Sequence, residues 1–140
     1  MPSPRWSAQR ALLDELLAHE PARGVAGEAL AAALYQLDRP GGRMRAELPA
    51  TAARALVYAP DAAAERAAAW LGLATELTHT ATLVHDDIMD GDRARRGHDS
   101  AWVKYGVAQA ITAGDLLWFL AEEAILAAPL EPELRLTALR

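Results

Sequence analysis

From Asp61 to Asp90 the chain runs without a proline through sequence rich in alanine, leucine and threonine, DAAAERAAAWLGLATELTHTATLVHDDIMD. Asp61, following Pro60, is a residue type that caps helix N-termini by accepting a hydrogen bond from the first free N–H groups. The segment is predicted as one helix, about 45 Å long at 1.5 Å per residue. A rod of that length spans a whole small domain, so the other elements of a 140-residue chain must pack along it. Elsewhere helical spacing dominates, and no alternation of apolar and polar residues is long enough for a strand. The expectation is an all-α fold.

The other segments give the same reading. Leu12, Leu13, Leu16 and Leu17 form an apolar stripe on a first helix, which Pro21 and Gly24 end. A second helix is expected over 25–37, then a loop at Asp38-Arg39-Pro40-Gly41-Gly42. A third is expected over 44–58, where Pro49 is tolerable only near the first turn. A polar loop over 91–100 follows the long helix, then a helix over 107–127, a break at Pro129, and another helix from Glu131. Arg140 falls inside a helical pattern rather than after a cap. One domain, 1–140, cut before its end, is the expectation.

The chemistry gathers where the long helix stops, at HDDIMDGDRARRG. Asp86 and Asp90 are one turn apart on one face, so their carboxylates repel unless a cation lies between them. Mg²⁺ prefers such oxygens and keeps other positions for water and substrate phosphates. Arg95 and Arg96 follow within a few residues, and the arginine fork suits phosphate. Upstream, Thr75, His79, Thr82 and Asp86 form a stripe that continues to Asp90, while Trp70, Leu73, Leu77, Val84 and Ile88 occupy the opposite side. The segment TELTHTATLVHDD is mostly apolar or small and has no Lys or Arg, so the polar stripe belongs to an otherwise interior helix and is expected to line a cavity. Carboxylates for metal beside arginines for phosphate make a diphosphate site.

Composition removes several alternatives. With no cysteine, disulfides, thiol catalysis and zinc–thiolate sites are excluded. A net charge of −5 with no basic face argues against nucleic acid. Arg5, Arg10, Asp14 and Glu15 interrupt the N-terminal segment, so no signal-peptide core is expected there. No uncharged apolar run of about 18 residues is present, so no spanning helix is expected, and the location expected is cytoplasmic.

Three segments in order resemble the trans-isoprenyl diphosphate synthases, the polyprenyl synthetase family. HTATLVHDDIMDGDRARRG is similar to its first aspartate-rich motif, PGGRMRA to its G-G-K-R-x-R-P, and YGVAQAITAGDLL to the alanine-rich helix that follows. The resemblance implies an antiparallel helix bundle of the isoprenoid synthase type, of which this chain is the N-terminal half. It also implies Mg²⁺-dependent condensation of isopentenyl diphosphate with an allylic diphosphate. Asp86 and Asp90 would then bridge the metal to the allylic diphosphate with Asp87 in support, and Arg95 would hold that diphosphate. Arg96, His79 and Arg43 would contact isopentenyl diphosphate. Ala81 and Thr82, small where a bulky aromatic shortens products, would set chain length at geranylgeranyl or longer. Gly42 stands where the family has lysine, Ala46 where it has proline, and Asp99 and Trp102 where proline and histidine are common.

Other residues receive plainer expectations. His85 is expected to be packed or hydrogen-bonded beside the carboxylates, since imidazole is a poor Mg²⁺ ligand. His19 and His98 are expected at the surface, Gly114-Asp115 at a close helix contact, and Trp118 and Phe119 in the core. Half of such a bundle leaves apolar faces uncovered, so a homodimer or a complex with a complementary C-terminal half is expected. Two other functions fit part of the pattern: a non-catalytic subunit of a heteromeric synthase, and a class I terpene cyclase fragment. The Arg95-Arg96-Gly97 run and His79 oppose the cyclase, which has no isopentenyl diphosphate to hold.

Overall fold

The computed structural model describes residues 6–19, 27–39, 41–56 and 59–140. Its helices are α1 (Ser7–His19), α2 (Gly27–Leu37), α3 (Met44–Leu56), α4 (Ala62–Met89), α5 (Ala101–Tyr105), α6 (Val107–Ala127) and α7 (Pro132–Ala138). Helix α4 is the long rod anticipated at 61–90, and the Asp61 carboxylate accepts from the Ala64 N–H at 2.8 Å. α6 packs along it most extensively, with α3 and α1 also against it, while α2 lies mainly on α6. Pro21, Gly24, Val25, Pro40 and Tyr58, on which several helix limits were expected, lie outside the described residues, as does the side chain of His19.

The core follows from the stripes. Leu12, Leu13 and Leu16 of α1 are buried with Leu37 of α2, Trp70, Leu73, Leu77 and Val84 of α4, and Leu117 of α6. Between them lie alanines with no exposed surface, among them Ala32, Ala81, Ala110, Ala113 and Ala124. Small side chains let helices approach closely, and two glycines leave room that a Cβ would fill. A Cβ on Gly72 would lie 2.1 Å from the Ala46 carbonyl oxygen, and one on Gly114 would lie 2.1 Å from Nε2 of His85. Gly114 therefore serves the close contact anticipated for it.

Three expectations need correction. Pro49 is the sixth residue of α3 rather than part of its first turn, so one helical N–H is missing. The helix persists because tertiary contacts hold it: the Ala46 carbonyl lies against Gly72 and accepts from the Gln9 amide at 3.0 Å. The loop over 91–100 contains a two-residue antiparallel hairpin, β1 (Ala94–Arg95) and β2 (His98–Asp99), and α5 follows it. Trp118 and Phe119 are not core residues. They are 42% and 67% exposed on α6.

Candidate functional site

The hairpin is what presents the arginines. Pairing of Ala94 with Asp99 and of Arg95 with His98 leaves Arg96 and Gly97 as its two-residue turn. Their φ angles are 54° and 80°, the left-handed values that tight hairpins of this length require. Glycine adopts this freely; Arg96 does so as a less common exception. The Arg96 guanidinium lies over Gly41, where a Cβ would be 2.3 Å from Nη1, so a side chain at 41 would displace it.

Asp87 does not stand with its two neighbours. Its side chain is 1% exposed, and Nε and Nη2 of Arg95 both reach its Oδ1, at 2.7 and 2.6 Å. Its Oδ2 is buried without a hydrogen bond. Asp87 was expected in support among the metal ligands; here helical rotation turns it inward from Asp86 and Asp90, and its partner is Arg95. Its hydrogen bond raises the Arg95 pKa above the ordinary value, against desolvation, with the charges of Asp87, Asp92 and Asp86 adding to it. Asp86 is half-buried and Asp90 exposed. Among the described residues no group of three or more metal-ligating side chains converges.

Next to the hairpin is a pocket of about 170 Å³ whose lining includes Arg39, Arg43, Arg45, Arg95, Arg96, Glu76 and His79. Arg43 is consumed by the fold. Its side chain is 8% exposed and pairs with Glu76 at 2.7 Å. It also donates to the carbonyls of Leu37 and, at 2.8 Å, of Arg39, where α2 ends. Basic side chains commonly satisfy last-turn carbonyls in this way. Arg45, on the first turn of α3, is the exposed cation of that segment. Of the R-x-R pair expected at the site, Arg43 is thus held within the fold and Arg45 is exposed. The signal was present: Glu76 is the single acidic residue between Arg66 and Asp86, and an isolated carboxylate on an interior helix needs a cation.

His79 also faces this pocket. Desolvation lowers its pKa below 6.5, and the charges of Arg45, Arg96 and Arg95 lower it further against an opposing contribution from Glu76. The imidazole is therefore neutral near pH 7, with one N–H to donate. The rest of the anticipated stripe is mixed: Thr75 is exposed, and the Thr82 hydroxyl donates to the His79 carbonyl at 2.8 Å. Ala81 has no exposed surface and belongs to the core, so it is not placed on the open face, whereas Thr82 is half-buried. His85 lies against Gly114, with Nε2 3.2 Å from the Ile111 carbonyl and 3.7 Å from Asp115, in the packed position anticipated for it. His98 is exposed, also as anticipated.

Fold and site together define a helical-bundle protein with an arginine-lined pocket beside a pair of carboxylates at the end of α4. Residues 28–139 match the model of the polyprenyl synthetase family, and the chain belongs to that family. It is 41% identical over 103 residues to a geranylgeranyl diphosphate synthase of Methanosarcina mazei, which covers 72% of this chain and 30% of that protein. It is 40% identical over 108 residues to a nonaprenyl diphosphate synthase of Mycobacterium tuberculosis, covering 77% of this chain and 31% of that one. The solved geranylgeranyl pyrophosphate synthetase of Geoglobus acetivorans superposes with a TM-score of 0.80 at 32% identity, over 97% of this chain and 42% of its own length. The chain thus spans less than half the length of these proteins. None of the helices among the described residues is long and apolar enough to cross a membrane.

Proposed function

We propose that the chain binds an allylic diphosphate and isopentenyl diphosphate and takes part in their condensation to a longer prenyl diphosphate. The observation that carries this is the position of Arg95, which lines the arginine pocket and also lies within electrostatic reach of Asp86. Two anion subsites therefore adjoin. One is the pocket of Arg45, Arg96 and neutral His79, suited to isopentenyl diphosphate. The other is the ledge of Asp86 and Asp90, suited to a metal-bound allylic diphosphate.

The ledge fits Mg²⁺ in its donor chemistry. Its two carboxylates form no ion pair among the described residues and offer only oxygen, and a hard ion that keeps water and substrate oxygens needs few protein ligands. When bound, Mg²⁺ would neutralise charge that develops on the leaving diphosphate. The chain's own residues orient the reactants. Arg95 steadies the allylic diphosphate while its carbon–oxygen bond breaks and the diphosphate leaves with the bonding pair. Arg45, Arg96 and the His79 N–H hold isopentenyl diphosphate so that its double bond attacks the allylic cation, after which a proton is lost from the adjacent carbon. Thr82, half-buried and small, offers no wall to a growing chain, which favours products of geranylgeranyl length or longer.

The partner proposed is a second copy or a complementary half that covers the exposed apolar face of α6. Incubation with Mg²⁺, labelled isopentenyl diphosphate and farnesyl diphosphate, alone and with such a half, tests the reading. Elongated product supports it. Asp86→Ala or Asp90→Ala should abolish Mg²⁺-dependent binding of farnesyl diphosphate, and retained binding with the fold intact would refute the assignment.

A further inference from the structure

Arg39 lies in the segment Asp38-Arg39-Pro40, to which the sequence assigned only a loop, yet it is 8% exposed. Its Nη2 donates to the Asp99 carbonyl and its Nη1 to the Arg95 carbonyl at 3.4 Å. These carbonyls belong to opposite strands of the hairpin, so one guanidinium spans both. Tyr35 supports it twice: its ring lies 4.3 Å beneath the guanidinium carbon, and its hydroxyl donates to the same Asp99 carbonyl at 3.0 Å. Lys104 of α5 covers the Tyr35 ring, with Nζ 3.9 Å from the centroid. A two-stranded ribbon of this length has little stability of its own in water. Its orientation is set by what grips it, and the grip comes from the end of α2.

We propose that Arg39 is a positioning residue, a latch that fixes the β1–β2 hairpin to α2 and thereby sets where Arg95 and Arg96 stand. This rests on the diphosphate-site reading above and adds a residue that acts through the two arginines. The planar fork matters, because the guanidinium meets the two carbonyls with two different nitrogens held in one plane, whereas the shorter lysine would offer its donors from a single atom. Arg39 also lines the pocket, so its own charge is the competing explanation.

Hydrogen exchange on the chain, followed by titration with Mg²⁺ and inorganic pyrophosphate, decides between them. In Arg39→Ala, exchange across 93–100 should accelerate about tenfold or more, the scale of a lost charge-assisted hydrogen bond, while α4 and α6 keep their protection. Ser100, whose N–H donates to the Arg93 carbonyl at 2.9 Å, is the amide to follow. Pyrophosphate affinity should fall about tenfold in Arg39→Ala and as far in Arg39→Lys, but only about threefold or less when Arg96 is already Ala. Unchanged exchange overturns the latch. Full binding by Arg39→Lys, or an undiminished loss in the Arg96→Ala background, shows that charge alone acts and also overturns it. If Arg39→Ala fails to fold, Tyr35→Phe removes one bond to Asp99 and should give a smaller change in the same direction; no change would count against the proposal. If the unaltered chain does not bind pyrophosphate, the diphosphate reading fails, and exchange alone then judges the latch.

Discussion

The arginine pocket and the outer face of α6 are built on opposite terms. In the pocket, polar groups find partners within the chain: Arg43 meets Glu76 and two carbonyls, Arg95 meets Asp87, and Arg39 meets the hairpin. On α6, Val107, Ile111, Trp118, Phe119 and Leu126 are each more than 40% exposed, and the described residues offer nothing to cover them. A site whose cations are already oriented binds an anion with little rearrangement. An exposed apolar face does the reverse, leaving a favourable free energy unrealised until another surface arrives. The pocket can be tested in this chain alone; the face is tested through what it associates with.

The largest expected effect breaks the pocket from inside. Arg95→Ala strands Asp87, whose side chain is 1% exposed, and an uncompensated buried charge of that kind costs about 3 kcal/mol or more. Asp87→Ala leaves a guanidinium with 28% of its side chain exposed and should cost less, about 1–2 kcal/mol. Urea denaturation of the two variants measures the asymmetry. Equal losses would show that the buried carboxylate is hydrated and that the pair is not the pin described here. The same result bears on binding assays, because loss of affinity in Arg95→Ala is interpretable only in the folded fraction.

A second test separates the core from the open face of α4. Ala81→Phe inserts a ring where Ala81 has no exposed surface, and overpacking of this kind costs about 2 kcal/mol. Thr82→Phe projects from a half-buried position and should cost much less, while shortening the product of the reconstituted enzyme. Thermal or urea unfolding checks the first and product chain length the second. If Ala81→Phe is tolerated and shortens products instead, Ala81 meets the growing chain and is not a packing residue of the core.

How far such positions were legible depends on the range of the forces involved. The long helix, its Asp61 cap, the span of α6 and the start of α7 at about Glu131 are local matters of propensity and capping, and they read directly from the chain. The substrate role was given to Arg43 because it fits the R-x-R pattern as well as Arg45 does. What distinguishes them is Glu76, 33 residues away. The pairing of Asp87 was hidden for a similar reason: its motif neighbours suggest metal, whereas a hairpin eight residues on supplies its partner. Trp118 and Phe119 looked like core because large aromatics usually are, and the sequence does not state which faces a 140-residue chain can cover by itself.

The α6 face gives the next expectation in size. The unaltered chain should self-associate at micromolar concentration, and replacing Trp118 and Phe119 together with glutamate should weaken that association by about tenfold or more, since two large apolar anchors are lost. Sedimentation velocity across a concentration series reads this directly. A stable monomer before substitution would mean that the face tolerates water, and the contrast with the pocket would be one of degree only.

The smallest effect is a proton. His79 in the folded chain has its pKa below 6.5, chiefly through desolvation and then the charge of Arg45. The unfolded chain therefore holds more protons than the folded one in the window just below 6.5. Stability rises with pH across that window and falls as pH drops through it, levelling off below the folded pKa. An anion in the pocket acts oppositely, favouring the imidazolium, so diphosphate binding at about pH 6 should draw in a fraction of a proton. Calorimetry of pyrophosphate binding in two buffers of different ionisation enthalpy measures the net uptake, and His79→Gln should lower it, because the ionisation of pyrophosphate itself is common to both proteins. If uptake is the same in both proteins, another group is titrating and His79 does not face the anion; if neither takes up protons, the anion is bound beyond the reach of the imidazole.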